Sequence, residues 1–210
     1  MGKVRVAGFG VSIDGFGAGP DQGLEHPLGK RGGELMNWFY PTRAFRSMIG
    51  KDGGTEDRFA GSAMEGFGAF ILGRNMFGPA GDDWGGPDWK GWWGDNPPYH
   101  APTFILTHHA RDPIVMEGGT IFHFVTDGIQ AALAQAKAAA GELDVKIGGG
   151  VSTVRQYLLA GAIDELHLAL SPVVLGRGES LFSGIDLPRL GYRVTEAVPT
   201  ELATHLVLTR

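Results

Sequence analysis

The sequence predicts an α/β fold, a largely parallel sheet covered by helices on both faces, in one domain spanning residues 1–210. Three observations carry this. From Thr103 onward apolar strand-like runs alternate with segments of helical spacing. Upstream, Ala69–Leu72 is a short continuous apolar run of the kind buried on both faces. Several of the runs end in glycine or a small polar residue where a helix can start.

Taken in order, Lys3 to Ser12 reads as the first strand, and the turn-rich stretch Asp14 to Pro20 ends it. Leu35, Trp38, Phe39, Phe45 and Met48 keep a roughly helical spacing over Glu34 to Met48, interrupted by Pro41. A second helix is expected from Glu56 to Met64, with Thr55 as N-cap. Ala69 to Leu72 is a short buried strand running into Gly73 and Arg74. Residues 78–102 lack periodicity and hold four of the five tryptophans, which marks a functional loop or lid. Strands follow at Thr103–Thr107 and Ile121–Val125, then a helix over Gly128–Ala140 between Asp127 as cap and Gly141 as C-terminal stop. A strand at Val145–Ile147, a helix over Ser152–Leu159 closed by Gly161, a strand at Ile163–Leu170 and a last strand near Ala203–Leu208 complete the chain.

Composition removes whole classes of chemistry. With no cysteine there is no thiolate nucleophile, disulfide framework or Cys-based zinc site. A net charge of −5 leaves no broad basic face for nucleic acid. No run of apolar residues reaches membrane-spanning length, and the N-terminus enters a strand directly, so the expected location is the cytoplasm. His108 and His109 lack partners at ligand spacing, so no metal is expected. His167, alternating with leucines, reads as a structural or interface residue, and Asp164–Glu165 as the start of a strand. Glycine is the abnormal count: 35 of 210 residues, against roughly 7% in ordinary proteins, which calls for many turns or for backbone lying close to something.

Three segments share one design, a buried strand ending at glycine or a small polar residue: Phe70 to Phe77, Phe104 to Arg111, and Val145 to Thr153. Ligands of open α/β sheets bind at such strand ends, where helix N-termini offer amides and partial positive charge to phosphate. Neither G-x-G-x-x-G nor G-x-x-x-x-G-K-[ST] is present, so a conventional Rossmann or P-loop protein is disfavoured; G-x-S-x-G and H-E-x-x-H are missing as well.

Gly148-Gly149-Gly150, Gln156-Tyr157-Leu158, Gly161 to Leu166, Pro172 to Gly176, Gly178 and Leu181-Phe182 resemble the C-terminal signature of the riboflavin-biosynthesis reductase-like (RibD C-terminal domain-like) proteins of the dihydrofolate reductase superfamily. Ser12 to Gly15, Gly73-Arg74 and Thr107 to Arg111 are similar to three upstream motifs of that family. The resemblance implies a three-layer α/β/α fold with a mixed, mostly parallel sheet, and NADPH across the strand ends. The amides of Gly73, Arg74 and Asn75 and of Gly148, Gly149, Gly150 and Val151, with Ser152 beside them, would hold the pyrophosphate. Arg74, Thr107, His108 and Arg111 would serve the 2′-phosphate, and the Gly148–Gly149 bond is the expected cis peptide. Asp14 is the catalytic candidate, as proton source; Trp38, Trp92 and Trp93 are candidates for the substrate wall, and Glu34 is a stand-in for a pterin-binding acid. A homodimer is expected, partly from the apolar strand Leu166 to Leu170. The function implied is hydride transfer to a small planar pyrimidine, pterin or carbonyl compound. A non-catalytic NADP(H)-binding module and, more remotely, a carbohydrate binder using the tryptophans are the alternatives.

Overall fold

The computed structural model describes every residue except 1, 56, 80–83, 85 and 87. In chain order it contains β1 (Val4–Ser12), β2 (Phe16–Ala18), a 3-10 turn over Gly32–Met36, α1 (Arg43–Met48), α2 (Arg58–Ser62), β3 (Phe67–Gly73), α3 (Arg74–Phe77), β4 (Pro102–Leu106) and β5 (Ile114–Val115). There follow β6 (Ile121–Val125), α4 (Gly128–Ala140), β7 (Asp144–Gly149), α5 (Val151–Leu159), β8 (Glu165–Ser171), β9 (Glu179–Ser180), β10 (Arg193–Pro199) and β11 (Thr204–Thr209). One sheet runs β10-β11-β8-β1-β7-β3-β4-β6-β5, and β2 pairs with β9 in a separate ribbon. The six strands from β8 to β6 are parallel; β5, β10 and β11 add antiparallel edges. The sheet is therefore mixed but mostly parallel, as the sequence predicts.

The central strands are apolar on both sides because both sides are covered. Val4, Val6, Ile71, Val145 and Ile147 meet Ala132, Leu133 and Ala136 of α4 and Val154, Tyr157 and Leu158 of α5. The Tyr157 hydroxyl donates to the Ile129 carbonyl at 2.8 Å and so ties α5 to α4. The opposite face carries Trp38, Phe39, Phe59 and Ala60 against Ala169 and Ala203. β7, formed late in the chain, inserts between β1 and β3, so connections leave in opposite directions around it. That switch point is where a cleft opens at the strand ends.

Several local expectations shift. The spacing over Glu34–Met48 yields two short pieces, because Pro41 stops one and Thr42 starts the next, its hydroxyl accepting from Phe45 N at 3.2 Å. Asp57, not Thr55, caps α2, accepting from Ala60 N at 2.9 Å; Thr55 instead bridges to Thr42, and Glu56 lies outside the described residues. Asp127 stands at the N-cap of α4 but makes no capping bond, since its φ of −88° and ψ of 15° are not the extended geometry that aims a cap side chain at the helix. Helix α4 itself has the expected bounds, and Gly141 ends it with φ 61°. The apolar strand offered as a dimer surface is interior: β8 lies between β1 and β11 with Leu166 and Leu168 buried, so it has no open edge or face to give a partner. Close glycine approach is in part backbone against backbone: a Cβ on Gly19 would lie 2.0 Å from the Lys30 carbonyl oxygen.

Candidate active site

The carboxyl ends of β7, β3 and β4 open into a cavity of about 820 Å³. Its first limb is floored by glycine. Gly73, Arg74 and Asn75 line it from β3 and α3, Thr107 and His108 from the end of β4, and Gly148, Gly150, Val151 and Ser152 from β7 and α5. A Cβ built on Gly73 would stand 2.4 Å from Thr153 Oγ1 and 3.3 Å from Gly150 N, so the β3 and β7 corners touch. Gly150 caps α5 without any side-chain bond, which leaves the first amides of that nine-residue helix facing outward with the positive end of its dipole. The cis peptide is Gly149–Gly150, one bond later than expected. Gly149 does not line the cavity; its α-carbon faces Phe9 and Met76, which a Cβ would approach to 3.3 and 3.6 Å.

The second limb is apolar. Ala7, Gly8, Trp38, Met64, Phe70 and Tyr99 line it, with Trp92 and Trp93 at the tryptophan loop. That loop is stapled to α3: the Trp89 indole donates to the Phe77 carbonyl at 2.8 Å and the Trp92 indole to the Asn75 carbonyl at 3.3 Å. Part of it, 80–83, 85 and 87, lies outside the described residues. Trp38 serves two ends, lining the cavity while packing edge-on against His205 at 4.9 Å.

Other expected residues are placed elsewhere or occupied. Asp14 is exposed and outside the cavity, its carboxylate accepting from Gly176 N at 2.7 Å and Leu175 N at 3.1 Å. Its bond with Ser12 and those two amides hold it below the ordinary aspartate range, which suits an anion bracketing a loop and not a proton donor. Arg111 is likewise outside, donating to the Trp89 carbonyl at 2.8 Å with its guanidinium 5.5 Å from the Trp84 and Phe124 rings. Arg74 lies 4.9 Å over the Trp84 ring and still lines the cavity. The Thr107 hydroxyl accepts from His109 N at 3.1 Å within its own turn. Glu34 pairs with Arg31 at 2.9 and 3.0 Å at the surface and takes no part in the cavity wall.

The sequence reading missed Lys146 and His205, the buried partner of the structurally read His167. Lys146 is 9% exposed in the middle of β7 and lines the apolar limb; the signal was a cation inside an otherwise apolar strand. Behind that wall His167 and His205 form a buried pair. Gly8 N donates to His167 Nδ1 at 3.0 Å, so His167 carries its proton on Nε2 and donates to His205 Nδ1, also at 3.0 Å. Phe59 stacks 4.2 Å from the His205 ring. Burial first, then His205, pushes His167 down to about 3. In the unfolded chain an imidazole protonates near 6.5. The folded state therefore resists a proton that the unfolded state accepts, and stability should fall as pH drops from about 6.5 toward 3. Urea melts across that range, compared with a His167→Phe/His205→Phe variant, check this; parallel profiles would refute it.

A family model described as the RibD C-terminal domain matches residues 5–207. The chain belongs to that family. No curated protein matches the chain at significant similarity. Among solved structures, this RibD C-terminal domain protein is similar to a candidate riboflavin biosynthesis protein of Shewanella sp. PV-4, with 21% identity, TM-score 0.58, and 100% and 99% of the two chains covered. It also resembles the Thermotoga maritima diaminohydroxyphosphoribosylaminopyrimidine deaminase/5-amino-6-(5-phosphoribosylamino)uracil reductase, at 14% identity and TM-score 0.53, covering 99% of this chain and 56% of that one. Enterococcus faecalis dihydrofolate reductase, solved with NADP(H), matches at 15% identity and TM-score 0.53 over 99% of this chain and 96% of the other. At such identities these likenesses speak for the fold, which is that of dihydrofolate reductase. Among the described residues, no helix is long and apolar enough to cross a membrane.

Proposed function

We propose that this RibD C-terminal domain protein is an NADPH-dependent reductase acting on a small planar substrate. One observation carries the reading: the glycine corners of β3 and β7 meet at the uncapped start of α5, on the floor of a cavity whose other limb is apolar. The residues fit a dinucleotide diphosphate. Glycine at 73 lets β3 lie against Thr153 at the start of α5, a Cβ at Gly150 would meet nothing within 4 Å, so the floor there is open, and the amides of Val151 and Ser152 suit phosphate oxygens. Arg74 and His108 are the cavity-lining groups suited to the 2′-phosphate; Arg111, held under the tryptophan loop, is not among them. When bound, the nicotinamide supplies hydride. The chain's own part would be to hold the cofactor at the corner that Gly148 and Gly150 line and a flat substrate against Trp38, Trp92 and Trp93, with water excluded.

Replacing Arg74 with alanine should weaken NADPH by about tenfold and NADH much less, because a charge-assisted contact to phosphate contributes about 1.5–3 kcal/mol. Calorimetric titration with both cofactors checks this, and equal losses would remove Arg74 from the 2′-phosphate. The competing reading, a module that binds NADP(H) without turnover, is favoured by the position of Asp14 outside the cavity. Stopped-flow oxidation of bound NADPH against pterins, pyrimidines, flavins and carbonyl compounds decides: a module binds the cofactor and never oxidises it.

A further inference from the structure

We infer that Lys146 is the anchoring residue of the apolar limb, and that this limb takes a planar compound presenting an anionic oxygen, a carboxylate or phenolate, to the lysine Nζ. This rests on the reductase reading for its place in a reaction, but not for its physical basis. Lys146 stands in the middle of the parallel sheet, paired with Arg5 on one side and Phe70 on the other. It lines the cavity with Ala63, Met64 and Phe70 beside it, and its Nζ lies 5.8 Å from the centre of the Phe67 ring. An ammonium has three N–H donors. One goes to the Ala63 carbonyl and one to Met64 Sδ at 3.4 Å, which leaves a third.

The charge pattern around it fixes the ligand class. No carboxylate pairs with Lys146 among the described residues. Asp144 and Glu165, the acids nearest in the sheet, are bonded to Arg5 at 3.2 and 2.9 Å. Glu179, the one carboxylate among the described residues that line the cavity, sits on the β2–β9 ribbon bonded to Gln22. A buried cation without a counter-charge is costly and is stabilised by any anion that reaches it. Glu34, the acid that would suit a protonated heterocycle, is paired with Arg31 at the surface. The apolar limb thus carries a cation where recognition of a basic ring would need an acid, so it favours anionic compounds and disfavours cationic ones. Burial and Arg5 lower the Lys146 pKa, which marks the same uncompensated charge.

Lysine at this position also caps the last turn of α2 through Ala63, and the test separates capping from anchoring. 2-Naphthoate and 2-naphthamidine share a shape and differ in the sign of their charge. Calorimetric titration of each at pH 6.5, with and without NADPH, should show the carboxylate at least tenfold tighter. In Lys146→Met that ratio should fall to near one. Lys146→Gln, which keeps a donor for Ala63 but no charge, should lose the preference as well, and thermal melts confirm that both variants are folded. Equal binding of the two compounds, binding of neither, a tighter amidine, or a preference that persists in folded Lys146→Met overturns the inference. If NADPH fails to bind while the naphthoate preference holds, the cofactor reading falls and the anchor stands.

Discussion

Aspartate in place of Gly73 should weaken the proposed NADPH binding by at least a hundredfold. Two effects add. The Cβ alone would stand 2.4 Å from Thr153 Oγ1 and 3.3 Å from Gly150 N, so α5 must shift away from β3. The carboxylate then occupies the space assigned to phosphate, at the positive helix end, and leaves two like charges facing each other. An uncompensated buried charge costs about 3–5 kcal/mol, or roughly 10²–10⁴ in affinity. Steric and electrostatic parts separate in a cycle. Gly73→Ala should weaken NADPH, Thr153→Ala should restore much of that loss by removing the hydroxyl, and Gly73→Asp should stay inactive with or without Thr153. Folded Gly73→Asp with unchanged NADPH affinity would remove the cofactor from this corner.

Replacing Lys146 with methionine makes the protein more stable at neutral pH and less so, relative to wild type, as pH rises. Burial, with Arg5 adding to it, lowers the lysine from 10.5 to about 7. Between those values the unfolded chain holds a proton that the folded chain has released, so wild-type stability climbs with pH over that window. Below about pH 7 both states are protonated and the whole penalty is present. At about 1.4 kcal/mol per pKa unit it amounts to roughly 5 kcal/mol, reduced by about 1 kcal/mol for the hydrogen bond that methionine cannot make to Ala63. Urea melts from pH 6 to pH 10 should show the advantage of Lys146→Met shrinking steadily, and a difference flat in pH would refute the assignment. The histidine pair acts on the acid side of this window, so the two contributions read out separately.

Short apolar runs made β3 and β4 legible in the sequence, because strands buried on both faces admit no polar alternation. The periodicity of α4 and the glycine after it fixed that helix to its ends. Glycines at 73, 148 and 150 marked the corners of the cavity for the same local reason: only glycine leaves backbone bare where something must approach. What the sequence misjudged was long-range. Asp14, offered as proton source, and Arg111, offered to the 2′-phosphate, are held by Gly176 and by Trp89, 162 and 22 residues away. Lys146 looked like one residue of a strand, and its importance comes from Phe70, Ala63 and Arg5 closing around it.

The sequence by itself determined the layer architecture, the positions of the bare-backbone corners and the absence of thiol chemistry, since propensity, periodicity and residue type act over a few neighbours. Only the tertiary structure decided which charges face the cavity and which are spent on loops. Pairing and desolvation depend on what the fold brings within a few ångströms, and residues distant along the chain supply it.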